Sequence, residues 1–161
     1  MVCGFTGHRP HKLPWGNRED DPRCQAVKVI LSRRLEEAYE MGCRKFLCGM
    51  ARGCDLYFAE AVLKLRAAKP DVQLYALIPC PQQAERWSKG EKERYAYLCA
   101  QCVHCEILEQ VYTPGCMLRR NREMLLRSQV LISIYDGSSG GTGSTVSLAK
   151  KRGLTILPVW I

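Results

Sequence analysis

No apolar run in this 161-residue chain approaches the roughly 18–20 residues that a helix needs to cross a membrane. A membrane role is therefore not expected. Met1-Val2-Cys3-Gly4-Phe5 has neither a basic n-region nor a long apolar h-region. A secretion signal is not expected either, which points to the cytoplasm. Aromatic residues are only 8% and form no stripe with basic ones, as a groove for single-stranded nucleic acid usually would. There is no internal repeat, linker or low-complexity segment, so one domain is expected over residues 1–161. Acid is in short supply: 16 Asp and Glu stand against 24 Lys and Arg, a net charge of +8. That balance favours anionic partners such as nucleotides, nucleic acid or acidic metabolites, without choosing among them.

Cysteine is abundant, with ten residues. Without a secretion signal a disulfide framework is not expected, and buried thiols act as small hydrophobes. Cys99-x-x-Cys102-x-x-Cys105 has the spacing of zinc or iron–sulfur runs. The fourth position of a ferredoxin-like run is Glu109, and no second paired C-x-x-C exists. No metal and no cofactor are expected.

Strand-like and helix-like segments alternate along the chain. Apolar runs predict strands at 2–5, 45–48, 73–78, 104–108, 130–135 and 155–159. Helical spacing predicts helices at 23–41, 53–69, 82–101, 115–127 and about 142–152. The expected fold is α/β: a Rossmann-like, doubly wound, mostly parallel sheet with helices on both faces. Such sheets bind ligands outside the carboxyl ends of their strands. The loops after the first, second, third and fifth strands should therefore gather on one edge.

The most informative of these loops is Asp136-Gly137-Ser138-Ser139-Gly140-Gly141-Thr142-Gly143, between a strand and a helix. Glycine lets backbone approach a ligand, and the first amides of a helix lack internal partners at the positive end of its dipole. The pattern points to a phosphate site. The loop after the first strand, Gly4-Phe5-Thr6-Gly7-His8-Arg9, resembles a shortened phosphate loop but lacks a Walker Lys-Ser/Thr pair. Its His8 is a candidate base, phosphate donor or ribose contact, or else a turn cap. Arg9 is a candidate phosphate clamp. In Gly49-x-Ala51-x-Gly53-x-Asp55, the carboxylate either caps the following helix or meets a ribose hydroxyl. Arg119 and Arg122 lie one helical turn apart, with Asn121 between them. Trp87 either stacks on a base or packs in the core.

Several motifs carry a resemblance. Gly4-Phe5-Thr6-Gly7-His8-Arg9-Pro10-x-x-Leu13-Pro14-Trp15-Gly16 is one. Gly49-Met50-Ala51-x-Gly53-x-Asp55, Ile78-Pro79 with Gln83 and Trp87, Tyr112-x-Pro114-Gly115-Cys116-Met117-x-x-Arg120-Asn121-Arg122-x-Met124 and Asp136-Gly137-Ser138-x-Gly140-Gly141-Thr142 are the others. Together they resemble the YpsA-like family of the SLOG superfamily, which also holds the LOG-type phosphoribohydrolases and DprA. The resemblance implies a Rossmann-like domain that binds a nucleotide or its derivative. It implies a site made from Gly7, His8, Arg9, Gly49, Ala51, Gly53, Asp55, Arg120, Asn121, Asp136, Gly137, Gly140, Gly141 and Thr142. The expected role is a sensor or binding module for a ligand of the ADP-ribose or dinucleotide type. The alternatives are a hydrolase acting on an N-glycosidic or phosphate bond, and a DprA-like binder of single-stranded nucleic acid. The LOG-type motif ends in Glu where this chain has Ser147, which argues against that cleavage chemistry.

Overall fold

A computed structural model describes all 161 residues. Six strands form one parallel sheet: β1 (Val2–Gly7), β2 (Lys45–Cys48), β3 (Gln73–Ile78), β4 (His104–Ile107), β5 (Val130–Tyr135) and β6 (Thr155–Trp160). Their order is β4-β3-β2-β1-β5-β6. The helices are α1 (Pro22–Glu40), α2 (Cys54–Ala68), α3 (Lys89–Gln101), α4 (Cys116–Leu126) and α5 (Gly141–Lys151). The fold is the Rossmann-like α/β architecture expected from the alternation.

The strand residues explain the layering. β5 is buried along its whole length, as a strand covered on both faces must be. Side chains on successive positions enter different cores. Ile132 and Ile134 join Phe5, Phe46 and Phe58 beneath α1 and α2. Leu131 and Tyr135 pack with Val146 and Ala149 of α5. Leu47 and Leu77 meet Met124 of α4. Travel across the sheet runs from β1 outward to β4, then restarts on the other side of β1 at β5. Crossovers keep one hand, so this reversal places α4 and α5 on the face opposite α1 and α2. It also makes β1 and β5 the pair where the order switches.

Gly7 is fixed by packing. A Cβ there would lie 2.5 Å from Cys54 Cβ and 2.9 Å from Phe5 Cζ, so β1 and α2 close together only over glycine.

The segment from Gln82 departs from the expected helix. It forms turns, and α3 begins at Lys89. Gln83 Nε2 donates instead to the Gly49 and Met50 carbonyls at 3.1 and 3.2 Å. Ser88 Oγ then caps the Glu91 amide at 3.3 Å and starts the helix.

All ten cysteines are free thiols. Burial and the neighbouring Cys105 push Cys99 up to about 12. No group of three or more His, Cys, Asp or Glu side chains has the arrangement of a metal site.

Candidate functional site

The loops after β1 and β5 part where the strand order switches, and a cleft of about 260 Å³ lies between them. Ten of the fourteen expected residues line it: Gly7, His8, Arg9, Ala51, Asp55, Arg120, Asn121, Gly140, Gly141 and Thr142.

One wall is the first turn of α5. Gly140 precedes it with φ 141°, in the region that favours glycine. A Cβ at Gly140 would also come within 2.6 Å of Lys12 Nζ. No side chain caps α5, no acid stands in its first turn, and the amides of Gly141, Thr142 and Gly143 have no acceptor in the protein. Unpaired amides and the positive dipole end together favour an anion.

The opposite wall is the loop after β1. Arg9 is exposed at the mouth, and its side chain makes no hydrogen bond or salt bridge within the protein. Lys12 Nζ donates to Ser139 O at 2.7 Å, across the cleft to the glycine loop. His8 is buried, with Nε2 2.9 Å from Asp136 Oδ1. Hydrogen bonds from Ser138 and then His8 hold the Asp136 carboxyl well below the usual carboxylate range. An ionised Asp136 favours the tautomer with the proton on Nε2. The Asp136 amide, 3.3 Å from the same nitrogen, would need the other tautomer, and the shorter charged contact outweighs it. His8 Nδ1 makes no hydrogen bond within the protein.

The floor holds a buried charge pair without direct contact. Burial raises Asp55, and Arg120 pulls it back. Burial lowers Arg120, and Asp55 offsets that. The Asp55 side chain does not cap α2: Gly53 is the N-cap, and Asp55 Oδ2 accepts from the Ala51 amide at 3.0 Å, closing the loop ahead of the helix. Arg120 Nη1 donates to the Gly49 and Leu77 carbonyls, and its Nε to Asn121 Oδ1 at 2.8 Å. Its Nη2 makes no hydrogen bond within the protein. Asn121 Nδ2 donates to Thr145 Oγ1 at 3.2 Å, and Thr145 donates on to Gly141 O at 2.8 Å. This buried chain ties the ends of β2 and β3 to the first turn of α5.

Four expected residues stand outside the cleft and shape it. Gly49 makes room for Arg120. Gly53 has φ 84°, and a Cβ there would lie 2.9 Å from His8 O. Asp136 orients His8 from behind. Gly137, at φ 86°, turns the chain beside Trp160. Arg119 and Arg122 do not reach the cleft: Arg119 pairs with Glu109, and Arg122 lines a hollow between α4 and α5. Ser147 is exposed on α5 and lines a separate hollow with Lys151. Trp87 is half-buried, packs edge-on to Tyr95 at 5.2 Å and lines a hollow beside Arg9.

Sequence reasoning missed Lys12, His11, Met117 and Leu118, which also line the cleft. Lys12 carried a usable signal, as the next cation after His8-Arg9 on a strand-end loop. Met117 and Leu118 form an apolar stretch in the first turn of α4, beside the Gly115-Cys116 start.

Comparison with known proteins agrees with this architecture. Over 155 residues the chain is 28% identical to UPF0398 proteins of Bacillus thuringiensis (strain Al Hakam) and Bacillus cereus (strain AH187), covering 94% of this chain and 84% of theirs. Its fold is similar to DNA processing protein A of Helicobacter pylori, whose structure was described for its single-stranded DNA binding mode. That likeness has a TM-score of 0.65 at 18% identity over 98% of this chain and 64% of that one. DNA processing protein A of Streptococcus pneumoniae gives a TM-score of 0.63 at 15% identity over 98% of this chain and 49% of that one. The chain spans less than two thirds of either structure. The sequence model of the YspA SLOG family (YpsA) matches residues 3–153, and the chain belongs to that family.

Proposed function

We propose that the cleft holds the phosphate of a nucleotide-derived small molecule of the ADP-ribose or dinucleotide type, and that the protein is a sensor or binding module for it. The observation that carries this reading is the uncapped first turn of α5 facing the unpaired Arg9 across the cleft. Lys12 and the free Nη2 of Arg120 add positive charge, and Asp55 is the one carboxylate in the lining. The test is a thermal-shift screen against ADP-ribose, dinucleotides, nucleoside mono- and diphosphates and a short single-stranded oligonucleotide. A ligand at about 100 times its Kd stabilises the native state by about 2.7 kcal/mol, which raises Tm by roughly 5–10 °C for a chain this long. No shift with any nucleotide-derived ligand would overturn the reading. A shift with the oligonucleotide alone would favour a second reading, single-stranded DNA binding, which the shared fold motivates.

Arg9→Ala is expected to weaken binding of a phosphorylated ligand by about 1.5–3 kcal/mol, as for a hydrogen bond to a charged group. Tm should move little, because the Arg9 side chain makes no hydrogen bond or salt bridge and Asp55 keeps the larger contributions of Arg120 and the Ala51 amide. Calorimetric titration with ADP-ribose checks the first statement and thermal melting the second. An equal loss for unphosphorylated adenosine would mean that Arg9 only braces its loop.

Hydrolysis of a nucleotide N-glycosidic bond is not expected. Position 147 carries serine and lies outside the cleft. Asp55 is buried, raised by that burial and already bonded to the Ala51 amide. Incubation with adenosine monophosphate, followed by chromatography, should show no free adenine. Release that scales with protein concentration would make the hydrolase reading the better one.

A further inference from the structure

A second hollow of about 550 Å³ adjoins the cleft, and Arg9 and His11 line both. Arg52, Arg86 and Trp87 also line it, with Pro10, Gly16 and Asn17, and no carboxylate does. Arg52 is neutralised by Glu91, with Nε 2.6 Å from Oε2. Arg9 and Arg86 form no salt bridge within the protein; the charge of Arg9 also acts on Asp55 in the cleft, while Arg86 lines the hollow unpaired. Trp87 is held edge-on to Tyr95 at 5.2 Å. Its turn is pinned by Gln83 to the Gly49 and Met50 carbonyls. The indole is therefore held in place, half-buried, in the wall that Arg9 and Arg86 share.

Size argues that the cleft is half a site. Pockets for whole small molecules run to roughly 300–1,000 Å³, and about 260 Å³ falls just below that range. The two hollows together lie well inside it. We propose that the second hollow is a distinct subsite, which takes the distal nucleoside half of a two-headed ligand whose proximal phosphate sits on α5. The base packs on Trp87, Arg86 carries charge beside it, and Arg9 at the boundary holds the linking phosphates. A planar base against an indole flanked by guanidinium groups is a favourable, sequence-tolerant contact. The ligand class that fits is two nucleoside or sugar units joined through a pyrophosphate, as in ADP-ribose. This inference rests on the proposed phosphate role of the cleft.

The experiment is calorimetric titration of ADP-ribose, adenosine monophosphate and ribose 5-phosphate against the wild-type chain, Trp87→Leu and Arg86→Ala. The wild type should bind ADP-ribose at least about tenfold tighter than either half. Loss of one base–aromatic stack corresponds to about 5- to 150-fold, so Trp87→Leu should weaken ADP-ribose by that much. Arg86→Ala should weaken it about tenfold. Neither change should alter the affinity of ribose 5-phosphate, which carries no base to reach Trp87. Arg86 is exposed, so its variant tests the subsite even if Trp87→Leu loosens the turn. Binding of ADP-ribose no tighter than its halves would overturn the subsite and leave the cleft proposal standing, as would variants that weaken ADP-ribose and ribose 5-phosphate alike. Absence of binding by all three probes would overturn both.

Discussion

Gly141→Val is expected to lower affinity for ADP-ribose by at least about 100-fold, equivalent to about 2.7 kcal/mol, with Tm nearly unchanged. A Cβ at 141 meets no atom within 4 Å, so the branch point of valine stands in open space. Gly141 is also absent from the positive-φ positions, so its backbone accepts an L side chain. In a helix, valine is no worse than glycine by intrinsic propensity. The open space it would fill is the cleft itself, in front of the amides of the first turn of α5. Two methyl groups there hold a phosphate away from those amides and from Arg9. Neighbouring Gly140 would make a poor probe, because its φ of 141° and the nearby Lys12 Nζ strain any side chain and mix folding with binding. Titration and melting of the same preparation decide the matter. Unchanged affinity in a folded variant would remove α5 from the site, and a large fall in Tm would show that position 141 is structural.

The candidate site edge was legible in the sequence because parallel sheets leave a strong imprint. The strands β1, β2 and β5 are largely buried, so they read as mostly apolar runs, and each has a glycine at its end or in the turn that follows. Once the alternation is seen, the carboxyl-edge rule brings the turns together without further information. What was hidden depends on contacts between distant parts of the chain. Gln82–Ser88 is rich in helix formers, yet Gln83 spends its amide on the β2 loop more than thirty residues away. Lys12 reaches Ser139 across 127 residues, and nothing local announces that bond.

The arginines of α4 show how close the sequence came. Spacing alone singled out Arg119 and Arg122, which share a face but point away from the cleft. The buried residues are Leu125 and the row Cys116, Arg120 and Met124 at i, i+4 and i+8. Reading Arg120 as the polar member of that apolar row would have identified it, because a charge on a buried stripe is rarely incidental. The resemblance to the SLOG family supplied Arg120, where spacing had offered only Asn121 with Arg119 and Arg122.

That buried arginine sets the largest expected loss of stability. Gly49→Ala should cost about 3–5 kcal/mol, the range for stripping a buried charge of its partners, and lower Tm by roughly 6–20 °C. The alanine backbone is acceptable, since Gly49 is not among the positive-φ positions. Its Cβ would instead lie 2.5 Å from both Cζ and Nη1 of Arg120, and 2.9 Å from Nε. The planar guanidinium is buried, so it cannot yield without leaving its place. Displaced, it abandons the Gly49 and Leu77 carbonyls and Asn121 Oδ1, and Asp55 loses the cation that offsets its burial. Each buried polar group left unpaired costs about 1–3 kcal/mol. Arg120→Met should be similarly costly by the same losses, but its slender chain leaves room for the extra methyl. Urea unfolding of both single variants and of Gly49→Ala/Arg120→Met therefore separates cause from coincidence. If Gly49 exists to admit Arg120, the double variant is hardly less stable than Arg120→Met alone, and the two costs are strongly non-additive. Simple addition would mean that the glycine serves the β2 turn for a reason of its own.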